Sequence, residues 1–577
     1  MPKPENPYFC KKLYIGMQKL FSLPAGLILV AVSQSFVVAQ TFEWARTSNT
    51  TVITTGGAIA ADGDGNSYVT GSFFGKCSFG DFELNAEGRD IYLTKYDAQG
   101  KALWAKRAGG KADDFGNAVA VDGEGNCFLA GSFGLTVSFG TESVTAKGQH
   151  DIFVAKYDTK GDLLWCKQAG GYYDDHAMAI SLDKAGNSYV AGYFKDTIWF
   201  SPDAMLATGK GISALGMFLA KYDSKGKFLW AKQMGGVNYQ TQNEGLAIAT
   251  DRSGMTYVTG YYQIEATFEE KKLANRGTFA LFTAKYDSDG KVLWVQSSST
   301  NASSVIGKGI ALDKKGNCYV SGTFTSSATF DTITAISRNL GFPDIFLAKY
   351  NSNGTIIWVR TSGGFGAKSL YAGAVDDDGN PYLIGTFRDT AAFGNITLTG
   401  AGMENIFLVK YDPSGEVQWG KQMGRHGMLL GKSLSLDDDG NVFITGNFTD
   451  TADFGKAHLR AKENTQDVFI AKLSPVSIVK EKKLPEVPSA EFEFISFDHE
   501  SGSRNATAKF SIPGSSFILL QVDDEMGAVA ESYIEGEREA GVYEAKLDLK
   551  NFKEGGDYYC RLQAGKEKRT KKLVMGK

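Results

Sequence analysis

Cysteine is scarce in this 577-residue chain and is scattered where it occurs. No two of the six cysteines have Cys-x-x-Cys spacing, and one of them lies in the N-terminal segment. That distribution argues against a disulfide framework and against a thiolate zinc site. We therefore predict packed free thiols. The cysteines are Cys10, Cys77, Cys127, Cys166, Cys318 and Cys560.

Catalytic signatures are also lacking. The chain has only five histidines, and it contains no Gly-x-Ser-x-Gly elbow, no His-Glu-x-x-His motif and no phosphate-cradling loop. Whether it is an enzyme stays open, but the balance favours a binding protein. We expect no catalytic residue, no cofactor and no bound metal.

Neither proline nor positive charge is abundant. The chain has 12 prolines against 68 glycines, which indicates many tight turns without proline-rich disorder and hence an all-β protein of short strands. A formal net charge of −4 means that the chain has no excess of positive charge with which to bind nucleic acid or an anionic membrane. Partners of both kinds are therefore not expected.

The apolar run near the N-terminus, Leu23–Val32, is too short to span a bilayer comfortably. Lys11, Lys12 and Lys19 precede it, and small residues at Val37 and Ala39 suit a cleavage site. We predict a signal peptide over residues 1–39, cut after Ala39. The protein is then exported, secreted or held at the outer cell surface, with no membrane span once the signal is removed.

What the chain does contain is repetition. The stretch DIFVAKYDTKGDLLW, Asp151–Trp165, reads as two strands of β-branched and aromatic residues joined by a turn from Asp158 to Gly161. Five further full copies and one truncated copy follow the same pattern. They begin at Asp90, Met217, Leu281, Asp344, Asn405 and Asp467.

A second signature, such as DGEGNCFLAGSF at Asp122, recurs seven times at intervals of 60 to 68 residues. An apolar piece before each copy supplies one more strand, so each unit is a four-stranded meander. Periodic four-stranded units are typical of a β-propeller. The fourth strand of the last unit is missing at its end but is present at the start, around Trp44. Pairing the two would remove two exposed sheet edges, so residues 41–474 are predicted to form a seven-bladed β-propeller closed by its N-terminal strand.

Beyond the repeats, residues 475–490 combine charge with three prolines and read as a linker. Strand patterning resumes over residues 491–577, at the spacing of a small immunoglobulin-like β-sandwich.

Two family resemblances follow from these motifs. The unit D-x-x-G-N-x-Y-V-x-G-x-F followed by D-I-F-V-A-K-Y-D-x-x-G-x-x-x-W resembles the bacterial SBBP propeller repeat, which implies a propeller in a secreted or surface protein. The C-terminal pieces FSIPGSSFILLQVDDEMG, GVYEAKLDL and GGDYYCRLQAG resemble the sorting domain of the type IX secretion pathway. That resemblance implies recognition by the type IX machinery, although the Pro-Asn-Pro opening common in that family is absent.

Internal repetition separates structural residues from candidate binding residues, because a feature present in every unit serves the fold of every unit. The recurring tryptophans are interpreted as inter-blade packing, and the recurring lysines as structural pairs, some with turn aspartates. Carboxylates stand at alternate positions of several turns, as they do in calcium-binding loops. Equivalent turns that carry lysine at these positions are expected to fold in the same way, so turn formation alone explains the carboxylates. The tryptophans are Trp44, Trp104, Trp165, Trp230, Trp294, Trp358 and Trp419.

The loops that link one unit's outer strand to the next unit's inner strand break the symmetry. Variable loops on a rigid scaffold usually carry binding, and clustered Tyr, Asp, Asn and His suit a glycan or a protein surface. The candidate ligand-binding residues are Asp113, Asp114, Tyr172, Tyr173, Asp174, Asp175, His176, Asn238, Tyr239, Glu244, Arg425 and His426.

These observations favour a non-catalytic recognition or adhesion scaffold. One alternative is a hydrolase or lyase acting on an extracellular polysaccharide through carboxylates such as Asp114, Asp174 or Asp175, two of which would have to lie about 5–9.5 Å apart in one cleft. A second alternative is a purely structural propeller that assembles with neighbouring surface proteins.

Overall fold

The computed structural model describes the chain from residue 41 onward, with gaps. The described residues are 41–209, 215–238, 247–299, 303–337, 339, 341–400, 403–424, 427–474, 482–484, 491–499, 505–524, 529–549, 552, 556–564 and 567–574. The predicted signal peptide and most of the predicted linker lie outside them. Within these ranges the regular structure is β-strand, and no helix is long and apolar enough to cross a bilayer.

The first half of the repeats contains 22 strands among the described residues. They are β1 (Thr41–Thr47), β2 (Asn49–Thr50), β3 (Thr54–Ala61), β4 (Ser67–Phe79), β5 (Phe82–Tyr96), β6 (Ala102–Ala108), β7 (Asp114–Val121), β8 (Cys127–Ser138), β9 (Ser143–Tyr157), β10 (Leu163–Ala169), β11 (Asp175–Leu182), β12 (Ser188–Lys195), β13 (Thr197–Ser201), β14 (Ala204–Ala207), β15 (Leu215–Tyr222), β16 (Phe228–Asn238), β17 (Ala247–Thr250), β18 (Thr256–Tyr262), β19 (Glu265–Phe268), β20 (Lys271–Ala274), β21 (Ala280–Tyr286) and β22 (Val292–Ser299).

The remaining strands of the described chain complete the repeats and form the C-terminal region. They are β23 (Val305–Leu312), β24 (Cys318–Phe324), β25 (Ser327–Phe330), β26 (Ile333–Ile336), β27 (Asp344–Tyr350), β28 (Ile356–Gly363), β29 (Lys368–Val375), β30 (Pro381–Phe387), β31 (Thr390–Phe393), β32 (Ile396–Thr399), β33 (Asn405–Tyr411), β34 (Val417–Met423), β35 (Leu429–Leu436), β36 (Val442–Phe448), β37 (Thr451–Phe454), β38 (Ala457–Arg460), β39 (Asp467–Ser474), β40 (Lys482–Leu484), β41 (Glu493–His499), β42 (Asn505–Ile512), β43 (Ser516–Asp524), β44 (Val529–Arg538), β45 (Gly541–Asp548), β46 (Asp557–Ala564) and β47 (Glu567–Val574).

The described part of residues 41–474 repeats one antiparallel four-stranded sheet, which we number sheets 1 to 7 in chain order. From first to fourth strand, sheets 1 to 6 are β3-β4-β5-β6, β7-β8-β9-β10, β11-β12-β15-β16, β17-β18-β21-β22, β23-β24-β27-β28 and β29-β30-β33-β34. Sheet 7 is β35-β36-β39-β1, so the N-terminal strand supplies its fourth strand. The second and third strands are mostly buried and mainly apolar, because neighbouring sheets pack against them.

The N-terminal strand β1 pairs antiparallel with β39, from Thr41 opposite Ser474 to Thr47 opposite Phe469. This is the pairing that the missing fourth strand predicts. The first strands of consecutive sheets also contact one another, and β3 of sheet 1 contacts both β7 of sheet 2 and β35 of sheet 7.

The Asp-x-x-Gly turns have the predicted geometry, illustrated by Asp122–Asn126. Gly125 donates its N–H to the Asp122 carbonyl at 3.0 Å and has a positive φ of 77°, which favours glycine. The Asp122 carboxylate accepts the N–H groups of Glu124 and Asn126 and the amide of Asn126. The turn at Asp183, which carries a lysine and an alanine, makes the same bonds. The turn itself therefore accounts for the recurring pattern of carboxylate and amide oxygens.

Each tryptophan packs on an aromatic ring of its own sheet's second strand and faces the next sheet. Six indole N–H groups donate to a carbonyl in the next sheet's turn, at 2.9–3.3 Å. The donors are Trp44, Trp104, Trp165, Trp230, Trp294 and Trp358. Trp419 instead faces sheet 7, where β39 and β1 are not joined by a turn, and its ring packs edge-on against Tyr382.

The recurring lysines lie beside the tryptophans and are paired as interpreted from the sequence. Lys156 forms a nearly buried ion pair with Asp122 at 3.1 Å, and Lys410 forms one with Asp376 at 3.3 Å. Lys221, Lys285 and Lys349 instead donate to a carbonyl of the next sheet's turn, at 3.0–3.1 Å. The five described cysteines are buried and unpaired, as predicted.

The predicted four-stranded unit is incomplete, because a further hairpin projects between the second and third strands of each sheet. Its tip is formed by the ends of β4 and β5 and of β8 and β9 in sheets 1 and 2, and by five separate strand pairs from β13-β14 to β37-β38. A hairpin phenylalanine packs on an aromatic residue of the third strand, with ring centroids 4.7–5.3 Å apart. These phenylalanines are Phe79, Phe139, Phe200, Phe268, Phe330, Phe393 and Phe454.

The hairpins also join neighbouring sheets through their backbones. The end of one fourth strand pairs with the hairpin of the next sheet, as Gly109 does with Ser138 and Ser298 with Phe330. The sequence signal was the phenylalanine that recurs 12 residues after each second strand begins, as Phe79 follows Ser67 and Phe139 follows Cys127. It was overlooked because the predicted unit was already a complete meander.

The C-terminal region contains two four-stranded antiparallel sheets, β40-β45-β42-β41 and β44-β43-β46-β47. Residues of both sheets share one hydrophobic core, which includes Phe510, Leu520, Tyr543 and Cys560. Strand β40 lies within the predicted linker and pairs with β45.

Replacing Trp44 with alanine should destabilise the protein by about 3–5 kcal/mol, because its ring is only 6% exposed and packs between sheets 7 and 1. Chemical denaturation followed by far-UV circular dichroism measures the effect. Trp199, 38% exposed in the hairpin of sheet 3, is the matched control, and Trp199→Ala should cost about 1 kcal/mol or less. Equal losses in both variants would contradict the role given to Trp44.

Candidate functional site

The two ends of each sheet differ in chemistry. Because the strands are antiparallel, both Asp-x-x-Gly turns of a sheet lie at one end, which we call the turn end. The connection to the next sheet and the start of the hairpin lie at the other, the loop end. Parallel bridges join the loop ends of neighbouring sheets, as between Arg89 and Asp113 and between His150 and Asp174.

Two of the sequence-selected carboxylates hold these connections in place rather than facing solvent. Asp114 is fully buried and accepts the N–H groups of Gly110 at 3.0 Å and Gly134 at 3.2 Å. Asp175, also fully buried, accepts the N–H groups of Gly171 at 2.7 Å and Lys195 at 3.3 Å. The backbone therefore occupies both oxygens of each carboxylate.

Asp113 and Asp174, by contrast, are half-exposed and occupy the same position in consecutive sheets. Asp113 forms an ion pair with Arg89 at 3.7 Å, and Asp174 lies 2.7 Å from Nδ1 of His150. Arg89 and His150 are also equivalent, since each immediately precedes the third-strand aspartate. One repeat thus has a guanidinium where the next has an imidazole.

His176 extends this arrangement on β11. Its Nδ1 shares a hydrogen bond of 2.7 Å with Oγ of Ser132, and its ring lies 5.5 Å from that of His150. The rings of Phe115 and Tyr193 are also close, with centroids 6.4 and 5.0 Å from that of His176. The pKa of His176 is lowered to about 4, mainly because the ring is buried and to a smaller extent because His150 lies beside it.

Tyr172 and Tyr173 continue the surface outward. Their rings contact edge-on at 5.1 Å, and the Lys195 ammonium lies 5.4 Å from the Tyr173 ring. Tyr172 is 74% exposed. Arg89 lies over the rings of Phe74 and Phe115 at the other side. Sheets 1 to 3 therefore share a continuous surface of aromatic, imidazole and charged groups at their loop ends.

The remaining sequence candidates are Asn238, Tyr239, Glu244, Arg425 and His426. The backbone of Asn238 pairs with Leu215 at the end of β16. Tyr239, Glu244, Arg425 and His426 lie outside the described residues.

Sequence reasoning missed His150, Arg89, Phe115, Ser132 and Tyr193 as neighbours of the candidate loops. Alignment of the repeats contained the signal, because the residue before the third-strand aspartate differs from unit to unit. From the sequence, binding was placed in the connecting loops, whereas this position lies at the start of the third strand.

The geometry limits the chemistry at this surface. A nucleophilic relay needs a serine, a histidine and a carboxylate in series on one imidazole. Here Ser132 bonds to His176, whereas Asp174 bonds to His150. The arrangement instead suits hydrogen bonding to a ligand, stacking or binding of a cation.

A separate cleft of about 560 Å³ opens at the loop end where sheets 7 and 1 meet. Ile53 of sheet 1 lines it together with residues of sheet 7, among them Asp450, Arg460, Lys462 and Gln466. The loop end therefore carries two separate surface features, this cleft and the aromatic and charged surface of sheets 1 to 3.

Burial raises the pKa of Asp114 to about 7 and that of Asp175 to about 8, although their backbone hydrogen bonds oppose the shift. A carboxyl group with a raised folded-state pKa stabilises the fold below its unfolded value and loses that contribution as the pH rises through the folded value. The melting temperature should therefore fall between about pH 4 and pH 8. An Asp114→Asn, Asp175→Asn variant should show a smaller fall in calorimetry at the same pH values. An equal fall in both proteins would contradict the raised pKa values.

No family model matches the chain. An uncharacterized WD repeat-containing protein of Acanthamoeba polyphaga mimivirus is 23% identical over a 439-residue match that covers 60% of this chain and 31% of that protein. Regulatory protein FlaEY of Caulobacter vibrioides is 31% identical over 113 residues, 19% of this chain and 12% of that protein. The matches thus span less than a third of the length of either relative.

Two solved structures are also similar. A protein of unknown function from Bacteroides caccae has a TM-score of 0.26 and 11% identity, covering 53% of this chain and 81% of that one. A DUF4221 family member from Bacteroides vulgatus has a TM-score of 0.28 and 10% identity, covering 62% of this chain and 92% of that one.

WD repeats form four-stranded propeller blades. The WD-repeat similarity and the repeated antiparallel sheets together make this chain a β-propeller-like repeat protein.

Proposed function

We propose that this protein is an exported, non-catalytic recognition scaffold that binds a partner at the loop end of a seven-bladed β-propeller. The proposed closure rests on the pairing of β1 with β39 and on the contacts of β3 with both β7 and β35. The C-terminal pair of sheets is proposed to be an immunoglobulin-like sorting module for type IX secretion. Its shared core and the sequence motifs quoted above support that assignment.

The distribution of exposed apolar side chains carries the functional proposal. Isolated exposed apolar residues are common and need no explanation. Here, however, eight large ones lie at the loop end of the described repeats, three more (Trp199, Met205 and Ile336) lie in the projecting hairpins, and none lies in a described Asp-x-x-Gly turn. The eight are Val52, Ile53, Leu135, Tyr172, Ile264, Phe342, Phe365 and Met403.

A second group of exposed apolar residues has a different explanation. Leu103, Leu164, Leu229, Leu293 and Ile357 each precede the tryptophan of a fourth strand, so they recur in register with the fold. The loop-end residues do not recur in this way. Their exposure is a property of particular repeats, as expected for a binding surface.

The backbone conformation of Leu135 and Ile264 is a further reason to propose binding at the loop end. Both start a hairpin with φ of 50° and 52°, a left-handed conformation that is strained for these residue types. Other repeats place glycine, serine or aspartate at the same position, such as Gly75, Ser326 and Asp450, all with positive φ. In these two repeats an exposed apolar side chain is retained where a polar residue fits the backbone better.

Aliphatic side chains such as Val52, Leu135 and Ile264 neither stack on sugar rings nor form hydrogen bonds, so they favour a protein partner at the cell surface. Tyr172 and Tyr173 beside Asp174 and His176 would also suit a glycan, which is the other partner class. The polysaccharide hydrolase alternative is less well supported. Asp114 and Asp175 are fully buried, and Asp174 is engaged by His150.

Leu135→Asp and Ile264→Asp should stabilise the fold by about 1 kcal/mol each, because aspartate tolerates the left-handed region. Together they should weaken partner binding by about tenfold or more. Binding of the purified protein to a surface-protein array and a glycan array, followed by affinity measurement on each hit, tests both expectations. Leu164→Gln is the matched control, since glutamine stands at this position in the repeat of Trp419. Binding that survives the double variant, or hydrolysis of a bound glycan, would contradict the scaffold proposal.

Export is tested separately. The exported protein should begin at Gln40, one residue before β1, when its N-terminus is sequenced from the culture medium or the cell surface. Deleting residues 491–577 should retain it inside the outer membrane. Surface display of the shortened chain would contradict the sorting assignment.

A further inference from the structure

The geometry points to a binding site for a divalent transition-metal ion of the zinc class, formed by His150, Asp174 and His176 and joining sheet 2 to sheet 3. We propose this site although the sequence suggested none. The ligand atoms of the three side chains all lie within 4.8 Å of one another. His150 lies on β9 of sheet 2, His176 lies on β11 of sheet 3, and Asp174 lies in the connection before β11.

The first two ligands already face each other. Nδ1 of His150 lies 2.7 Å from Oδ1 of Asp174. Nε2 of His150 faces Gly134 instead, 3.6 Å from the place where a Cβ atom of that residue would stand. Nδ1 is therefore the nitrogen available on the Asp174 side. A small opening of this contact would admit an ion, with metal–nitrogen and metal–oxygen bonds of about 2.0–2.2 Å.

The third ligand has a partner that orients it. Oγ of Ser132 lies 2.7 Å from Nδ1 of His176. Histidine ligands commonly donate one ring N–H to such a group, which fixes the tautomer and leaves the other nitrogen for the metal. Nε2 of His176 is then the third donor, and Ser132 is a positioning residue.

The preceding repeat has the same backbone arrangement but lacks the two histidines. The positions of His150, Asp174 and His176 correspond to Arg89, Asp113 and Phe115. There the aspartate is paired with a guanidinium, and the arginine lies 5.1 Å from the phenylalanine ring. The two repeats thus differ by two substitutions, histidine for arginine and histidine for phenylalanine, and these replace a salt bridge with a set of three possible metal ligands.

The donor types select the class of ion. Two imidazole nitrogens and one carboxylate oxygen suit zinc and related transition metals, whereas calcium and magnesium prefer oxygen ligands only. Three protein ligands leave a coordination position open. Because the ligands come from two sheets and the connection between them, the ion would fix the segment that carries Tyr172 and Tyr173. This inference is independent of the proposed recognition function.

The test uses the full-length protein, stripped with a chelator and titrated with Zn²⁺ by calorimetry, then with Co²⁺ followed by visible absorption. We expect one equivalent of Zn²⁺, visible Co²⁺ bands, and no comparable binding of Ca²⁺ or Mg²⁺. His150→Gln and His176→Gln should each weaken Zn²⁺ binding by more than the 10–100-fold typical of losing a supporting residue. Ser132→Ala should weaken it by about tenfold while leaving all three ligands present.

Two controls separate this site from surface binding. Asp113→Asn removes the equivalent carboxylate of the neighbouring repeat and should not change the affinity. His458→Gln removes an exposed histidine that bonds to Asp453 elsewhere on the surface, and should also have no effect. If both histidine variants bind Zn²⁺ as the wild type does, the proposal is wrong. If either variant does not fold, the wild-type titration decides, and failure to take up Zn²⁺ or to show Co²⁺ bands would overturn the proposal.

Discussion

The contact between a tryptophan of one sheet and the turn of the next is the interaction on which the repeated structure depends. The indole N–H donates to a turn carbonyl, and the turn glycine gives the ring its space. A Cβ atom on Gly100 would lie 2.5 Å from the Trp44 ring, and one on Gly354 would lie 2.7 Å from Trp294. The same glycines need a positive φ to close their turns. Two features of the repeat, Trp and Asp-x-x-Gly, therefore follow from one inter-sheet contact.

In every case but that of Trp419, this contact joins one sheet to the next. In these cases the tryptophan of one sheet needs the turn of the following sheet, and that turn needs the preceding tryptophan. Repeat proteins share this dependence on neighbours. It also explains why β1 is important: with β1 in sheet 7, Trp44 reaches the turn of sheet 1 at Ala98. Without it, both the turn of sheet 1 and the edge of β39 would lose their partners.

The parts of the fold that depend on local chemistry were predictable from the sequence. Turns, strand order and the pairing of the Trp44 strand follow from residues that recur in register. The hairpin between second and third strands was not predicted, because its short strands carry a single recurring phenylalanine such as Phe139. Site residues were harder to predict. The sequence places Asp174 and Asp175 side by side but does not show that one is half-exposed and the other fully buried. His150 joins the site only through pairing between sheets.

The division between the two ends explains where function can vary. At the turn end, the first residue of each Asp-x-x-Gly turn and the recurring lysines and tryptophans make contacts within or between sheets, so a substitution of one of them removes a contact that supports the repeat. At the loop end, buried groups such as Asp114 and Asp175 hold the backbone, and the residues beside them are free to differ. Asp113 and Asp174 keep the same position yet pair with arginine in one repeat and histidine in the next. The turn end thus repeats the same contacts from sheet to sheet, whereas side chains at the loop end differ from one repeat to the next.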